Sequence, residues 1–127
     1  MPISPKVGIL VMALLEDDYN KTAHVRPMAQ KTADYIGEII GKYAQTVCPP
    51  LVEEENQAEA AARMFNAEDV DLIVAVEVAY TKGIVPTRCF LNTSAPILVW
   101  NTQQIEFLPE DADFDLIMVN SGMAGVP

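Results

Sequence analysis

The stretch Glu68-Asp-Val-Asp-Leu-Ile-Val-Ala-Val-Glu-Val-Ala-Tyr-Thr-Lys-Gly83 decides the fold. Between Leu72 and Val78 it is apolar and rich in β-branched residues, and Glu77 is its one interruption. A short apolar run with acids before it and Thr-Lys-Gly after it is typical of a strand that is buried on both faces. Such strands lie in the middle of parallel sheets with helices on either side, so the stretch predicts an α/β fold.

The rest of the chain alternates between the two types of element. We predict further strands at 6–15, 46–52, 95–100 and 114–119, and helices at 23–45, from about Asn56, and at 83–92. Glu59 completes a capping box with Asn56, and Pro49 with Pro50 confines its strand to a sheet edge. Right-handed crossovers then give a doubly wound, flavodoxin/Rossmann-like three-layer sandwich whose five-stranded parallel sheet has the order 2-1-3-4-5.

Composition excludes some classes of function. The 127 residues suffice for one domain, and the net charge of -10 disfavours nucleic acid, which needs a basic face. No apolar run reaches the roughly 18 residues of a membrane helix, and the start has no signal-peptide pattern. Cys48 and Cys89 fall on different elements, so we expect both to be reduced in a cytoplasmic protein.

The chain ends in a way that bears on domain organisation. A doubly wound domain normally sends a helix back over the sheet after strand five, whereas here Asn120-Ser-Gly-Met-Ala-Gly-Val-Pro127 closes the sequence. We therefore expect residues 1–127 to be a single α/β domain, the N-terminal part of a longer multidomain chain. The alternative is a covering element from a partner.

Polar residues gather where the predicted strands end. In an open α/β sheet the carboxyl ends of the strands share one edge, where ligands bind. Amides, hydroxyls and a tyrosine offer the neutral donors and acceptors that a polyhydroxylated ligand needs. The candidate lining residues are Met12, Leu14, Glu16, Tyr80, Thr81, Asn101, Thr102, Gln103 and Asn120. The alternative is that these residues only turn the chain.

Glu77 is the acid inside the central strand. A buried carboxylate is costly unless it is paired, so a salt bridge to a nearby Lys or Arg, or a position at the rim of the sheet, is one interpretation. A pocket acid with a shifted pKa is the other. His24 is the only histidine and has no partner set for a metal, and no glycine-rich phosphate loop is present.

Response-regulator receivers are a rival, because they share the strand order 2-1-3-4-5 and have acids after strand one, like Asp17 and Asp18. The pattern then departs from theirs. Receivers have an aspartate at the end of strand three, where this chain has Glu77 and Tyr80, and a lysine after strand five, where it has Asn120.

Four segments together resemble the N-terminal domain of the L-fucose/L-arabinose isomerase family. They are Val7-Gly-Ile-Leu10, Glu59-Ala-Ala-Ala-Arg-Met-Phe65 with Glu68 to Val76, Ala95-Pro-Ile-Leu-Val-Trp-Asn-Thr-Gln103, and Asn120-Ser-Gly-Met-Ala-Gly-Val126. The resemblance implies an oligomeric parent that interconverts aldoses and ketoses, usually with manganese. Its metal ligands and catalytic acids would lie in later domains, so none is placed here and the fragment alone is expected to be inactive.

The resemblance also implies which residues line the sugar. In the family the ends of strands one and three help to wall the sugar pocket, which corresponds to Met12 to Glu16 and to Tyr80-Thr81. Arabinose isomerases have Gln-His-Leu-Tyr where this chain has Ala13-Leu-Leu-Glu16, which leaves the substrate open. The alternative function is a non-catalytic sugar-binding or regulatory domain.

Overall fold

Four parallel strands form the sheet. The computed structural model describes residues 3–13 and 25–121, without the side chains of Val25 and Asp115. Its elements, in chain order, are β1 (Lys6–Met12), α1 (Val25–Gly41), β2 (Gln45–Val47), α2 (Glu55–Ala67), β3 (Leu72–Glu77), α3 (Ile84–Phe90), β4 (Ile97–Asn101) and α4 (Phe114–Val119). No helix in these ranges is both long and apolar enough to cross a membrane.

The strand order is β2-β1-β3-β4, and every pairing is parallel. This confirms the α/β class, the parallel sheet and the predicted order of the first four strands, and it is consistent with a Rossmann-like fold. The five-stranded sheet was wrong, because the described residues supply four strands. β1 and β3 occupy the centre, as their long apolar runs predicted.

The two faces of the sheet carry separate cores. One side of β1 and β3, including Ile9 and Val76, packs against Ile36 of α1. The other side, including Leu10 and Ile73, packs against Phe65 of α2 and residues of α3. Successive strand residues point to opposite faces, so each central strand contributes side chains to both cores. Its sequence therefore does not alternate between apolar and polar residues.

A glycine allows α2 to lie close to β1. A Cβ on Gly8 would come within 2.6 Å of Cε1 and 2.7 Å of Cδ1 of Phe65, which is itself 1 % exposed. The ring of Phe65 therefore occupies the space above the strand that any side chain at residue 8 would need. This contact sets how closely the α2 layer lies on the sheet.

Residues 114–119 form a helix, which corrects the predicted fifth strand. Oδ1 of Asp113 accepts a hydrogen bond of 2.8 Å from the backbone N–H of Leu116, so Asp113 caps the helix. Val119 is buried against the α1 side of the sheet, whereas Phe114 and Ile117 remain exposed. The apolar run was too short for its periodicity to distinguish a strand from a helix.

The start of α2 also differs from expectation. Glu54 is the N-cap, and Oε1 of Gln57 accepts hydrogen bonds from the backbone N–H groups of Glu54 (3.0 Å) and Glu53 (2.7 Å). The predicted pair of Asn56 and Glu59 is therefore displaced by two residues. Arg26 donates to both carboxylate oxygens of buried Glu53, at 2.7 and 2.9 Å, and so joins α1 to this segment.

Candidate functional site

Three residues form one row across the carboxyl end of the sheet. Glu77, the last residue of β3, is the register partner of Met12 on β1 and of Asn101 on β4. After β1 the chain forms β2 on one side of β1, and it then forms β3 on the opposite side of β1. The row therefore spans the topological switch point of the sheet. Ligands of open α/β sheets bind outside the strand ends at this point.

Glu77 is the most unusual member of the row. Its side chain is fully buried, and neither carboxylate oxygen has a hydrogen-bond partner among the described residues. Burial raises the pKa of Glu77 to about 8, because the charged form loses its hydration. The salt bridge that one interpretation predicted is not formed within this part of the chain. The raised pKa is the shift that the other interpretation predicted, and the role of Glu77 as a pocket acid stays a prediction.

Two side chains from the segment after β4 hold the end of β3 in place. The hydroxyl of Thr102 donates to the backbone carbonyl of Glu77. Nε2 of Gln104 donates to the carbonyl of Val78 at 3.0 Å. These carbonyls lie where the backbone pairing of β3 with β4 ends. The two side chains therefore supply hydrogen bonds in place of that pairing. Thr102 was among the predicted lining residues, whereas Gln104 belongs to the same polar strand end but was not among them.

α4 reaches the same edge through its C-terminal end. The backbone N–H of Tyr80 donates to the carbonyl of Met118 at 3.0 Å. Asn120 accepts from the N–H of Ile105 at 2.8 Å and donates to its carbonyl at 3.2 Å, so its amide replaces a backbone pairing. Asn120 is thus at the predicted edge, although it follows a helix rather than a strand.

The predicted lining residues differ in exposure. Met12 and Thr81 are buried, and the hydroxyl of Thr81 donates to the carbonyl of Ala13 at 3.5 Å. Tyr80, Thr102 and Asn120 are half-buried, whereas Asn101 and Gln103 are exposed. Leu14 and Glu16 lie outside the described residues.

A cavity of about 370 Å³ lies beside the strand ends, between the start of α2 and the segment after β3. Its lining residues are Glu53, Glu54, Glu55, Asn56, Lys82, Ile84 and Val85. Glu77 points to the same face of the sheet, because its odd-numbered neighbours Ile73 and Ala75 pack against α2 and α3. The site therefore combines the neutral row of Met12, Glu77 and Asn101 at the strand ends with the charged cavity on one side of it.

We tested the residues for the manganese site that the family resemblance implies. No group of three His, Cys, Asp or Glu side chains in residues 3–13 and 25–121 could hold a metal ion. We therefore assign no manganese ligand to this part of the chain. Cys48 is exposed and Cys89 is buried, and both are free thiols. Burial raises the pKa of Cys89 to about 11, which leaves it protonated and unreactive at neutral pH.

The acids of the receiver alternative, Asp17 and Asp18, lie outside the described residues. Asn120, compared above with the lysine that follows strand five in receivers, ends a helix. No protein-family model matches the chain, and no curated protein matches it significantly.

Proposed function

We propose that this chain is the N-terminal domain of a metal-dependent aldose–ketose isomerase of the L-fucose and L-arabinose type. In this proposal it supplies one wall of the sugar pocket and part of an oligomer interface, and it has no catalytic activity alone. The four-segment resemblance supports the family. The neutral polar edge at the switch point supports the sugar.

The observation that carries the proposal is the buried carboxyl of Glu77 at the topological switch point, which has no hydrogen-bond partner among the described residues. A buried polar group without a partner costs about 1–3 kcal/mol, and such groups are typical of functional sites. With a pKa of about 8, Glu77 is mostly protonated at neutral pH. A neutral carboxyl both donates and accepts a hydrogen bond, which matches what a sugar hydroxyl offers.

The surrounding polar residues divide into two roles. Asn101 and Gln103 are exposed, so their amides are accessible to a ligand, and Tyr80 at the same edge is half-buried. Thr102 and Asn120 bind backbone groups and therefore hold the edge in position. The proposed wall thus consists of neutral groups on a frame of side-chain to backbone hydrogen bonds.

Binding is tested by titrating the ¹⁵N-labelled chain with L-fucose and L-arabinose and following the backbone amide resonances. We expect saturable shifts at residues 77–81 and 101–104 at millimolar sugar, because a single wall provides few contacts. Glu77→Met should weaken these shifts, whereas Glu38→Met, on the exposed side of α1, should leave them unchanged. Ethylene glycol controls for general hydroxyl effects.

Two results would contradict the proposal. One is the absence of saturable shifts at these residues, or shifts confined to other parts of the chain. The other is isomerisation of either sugar by the purified 127-residue chain with manganese, because the proposal places the catalytic groups elsewhere.

A further inference from the structure

The two edges of the sheet are built differently. β2 has three residues and is followed by Pro49 and Pro50, features that protect an edge from pairing with another chain. β4 has the sequence Ile97-Leu-Val-Trp-Asn101, without a charge or a proline. Within the described residues β4 pairs only with β3, and no other described strand lies along its outer edge.

β4 is also partly exposed on both faces. Leu98 and Trp100, which share the α1 face, are 53 % and 40 % exposed, and Val99 on the opposite face is 41 % exposed. Seven of the thirteen exposed large hydrophobic side chains in the described residues belong to β4 and the segment that follows it. They are Leu98, Val99, Trp100, Phe107, Leu108, Phe114 and Ile117. Such a concentration marks an interaction surface.

The exposed apolar area is sufficient for a stable interface. With about 200 Å² for a whole aromatic side chain, the exposed fractions of Trp100, Phe107 and Phe114 amount to about 400 Å². A standard interface buries about 800 Å² on each partner, so these three residues supply about half of it. The four aliphatic side chains and the backbone edge add to that area.

We propose that β4 pairs with β4 of a second copy of this chain, antiparallel and across a two-fold axis at Val99. The pairing joins two four-stranded sheets into one continuous sheet. Val99 then faces Val99 of the partner subunit on one side, and Leu98 lies opposite the partner's Trp100 on the other. A two-fold interface needs a self-complementary surface, and this register pairs aliphatic with aromatic side chains.

Charge restricts where a second copy can dock. Each chain carries a net charge of -10, so two copies repel each other over most of their surfaces. β4 has no charged residue, so the proposed pairing places no like charges opposite one another. Because salt screens the general repulsion without weakening an apolar contact, the dimer should strengthen as ionic strength rises.

The mass of the purified chain in solution, measured by sedimentation over micromolar to millimolar concentration, tests the proposal. We expect a monomer–dimer equilibrium that shifts towards the dimer with added salt. Val99→Lys should weaken dimerisation at least about tenfold, because it buries two like charges at the axis. Tyr43→Lys, at an exposed position in the turn after α1, should leave the equilibrium unchanged.

Cross-linking tests the register and does not depend on how well the lysine variant folds. In a Cys48→Ser background, Val99→Cys should form a disulfide-linked dimer under mild oxidation, whereas Tyr43→Cys should not. A folded chain that stays monomeric at millimolar concentration would overturn the proposal and would mean that a second copy does not pair with β4. A dimer that Val99→Lys leaves intact and Val99→Cys does not cross-link would overturn it equally.

Discussion

Thr102 donates its hydroxyl to the backbone carbonyl of Glu77, which ties the segment after β4 to the end of β3. The same glutamate has a buried carboxyl that lacks a hydrogen-bond partner in residues 3–13 and 25–121. The backbone carbonyl of Glu77 is therefore held by a hydrogen bond, whereas its carboxyl is not held by any in this part of the chain. This difference between backbone and side chain is the basis for the binding role that we propose for this edge.

The first prediction concerns the hydrogen bond from Thr102 to the backbone carbonyl of Glu77. Thr102→Val keeps the shape of the side chain and removes the donor, so the carbonyl of Glu77 loses a partner. We expect the free energy of unfolding to fall by about 0.5–1.5 kcal/mol in urea denaturation. Thr102→Ser retains the hydroxyl and should lose less. Equal stability of the valine variant and the wild type would show that the hydrogen bond contributes nothing.

The second prediction concerns pH. Glu77 releases its proton near pH 4.5 in the unfolded chain and near pH 8 in the folded protein. Between these values the folded state holds a proton that the unfolded state has lost, so the contribution of Glu77 to stability decreases as pH rises. The slope approaches about 1.4 kcal/mol per pH unit, and it vanishes below and above the window.

Glu77→Gln isolates this effect, because glutamine has nearly the same shape and does not titrate. The stability of the wild type relative to Glu77→Gln should fall between pH 5 and pH 8, as measured by urea denaturation at each pH. The same comparison for Glu38→Gln should show no such slope. Parallel pH profiles for the wild type and Glu77→Gln would contradict the raised pKa.

The third prediction is that Glu77→Met stabilises the fold at pH 8 while it weakens sugar binding. Methionine fills a similar volume and removes the unpartnered polar group, so we expect a gain of about 1–3 kcal/mol in the free energy of unfolding. Gains of this kind at a binding site are often accompanied by lost function. A destabilised Glu77→Met variant would mean that the carboxyl has a stabilising partner.

The fourth prediction concerns the contact of β1 with α2. Gly8→Ala drives a methyl group into the ring of Phe65, and we expect a loss of about 1–3 kcal/mol in the free energy of unfolding. Gly37→Ala is the matched control, since its Cβ would meet only Sγ of Cys48 at 3.8 Å. It should stabilise α1 by about 0.5–1 kcal/mol. Phe65→Leu should partly rescue Gly8→Ala.

The sequence predicted the centre of the fold well because the physical signal there is strong. β1 and β3 are buried on both faces, and apolar runs rich in β-branched residues are the direct result. The small residues of α2, including Ala58, Ala61 and Ala62, form its buried stripe.

The signal was weaker at the periphery. Phe114–Val119 is six residues long, too short for its apolar pattern to show a helix, although Asp113 caps it through Leu116. The hydrogen bond from Gln104 to Val78 joins residues 26 positions apart, and no local sequence pattern predicts such a contact. Glu77 could be singled out as an acid in an apolar run, but whether the described residues give it a partner depends on how the neighbouring elements pack.

The most direct test of the neutral wall is a ¹³C titration of the Glu77 side-chain carboxyl, with and without saturating L-fucose. The account predicts a midpoint near pH 8 in the free protein, and a higher midpoint with the sugar, because a hydroxyl that bonds to the protonated form stabilises it. A midpoint near the ordinary value of 4.5, or one that L-fucose leaves unmoved, would contradict it.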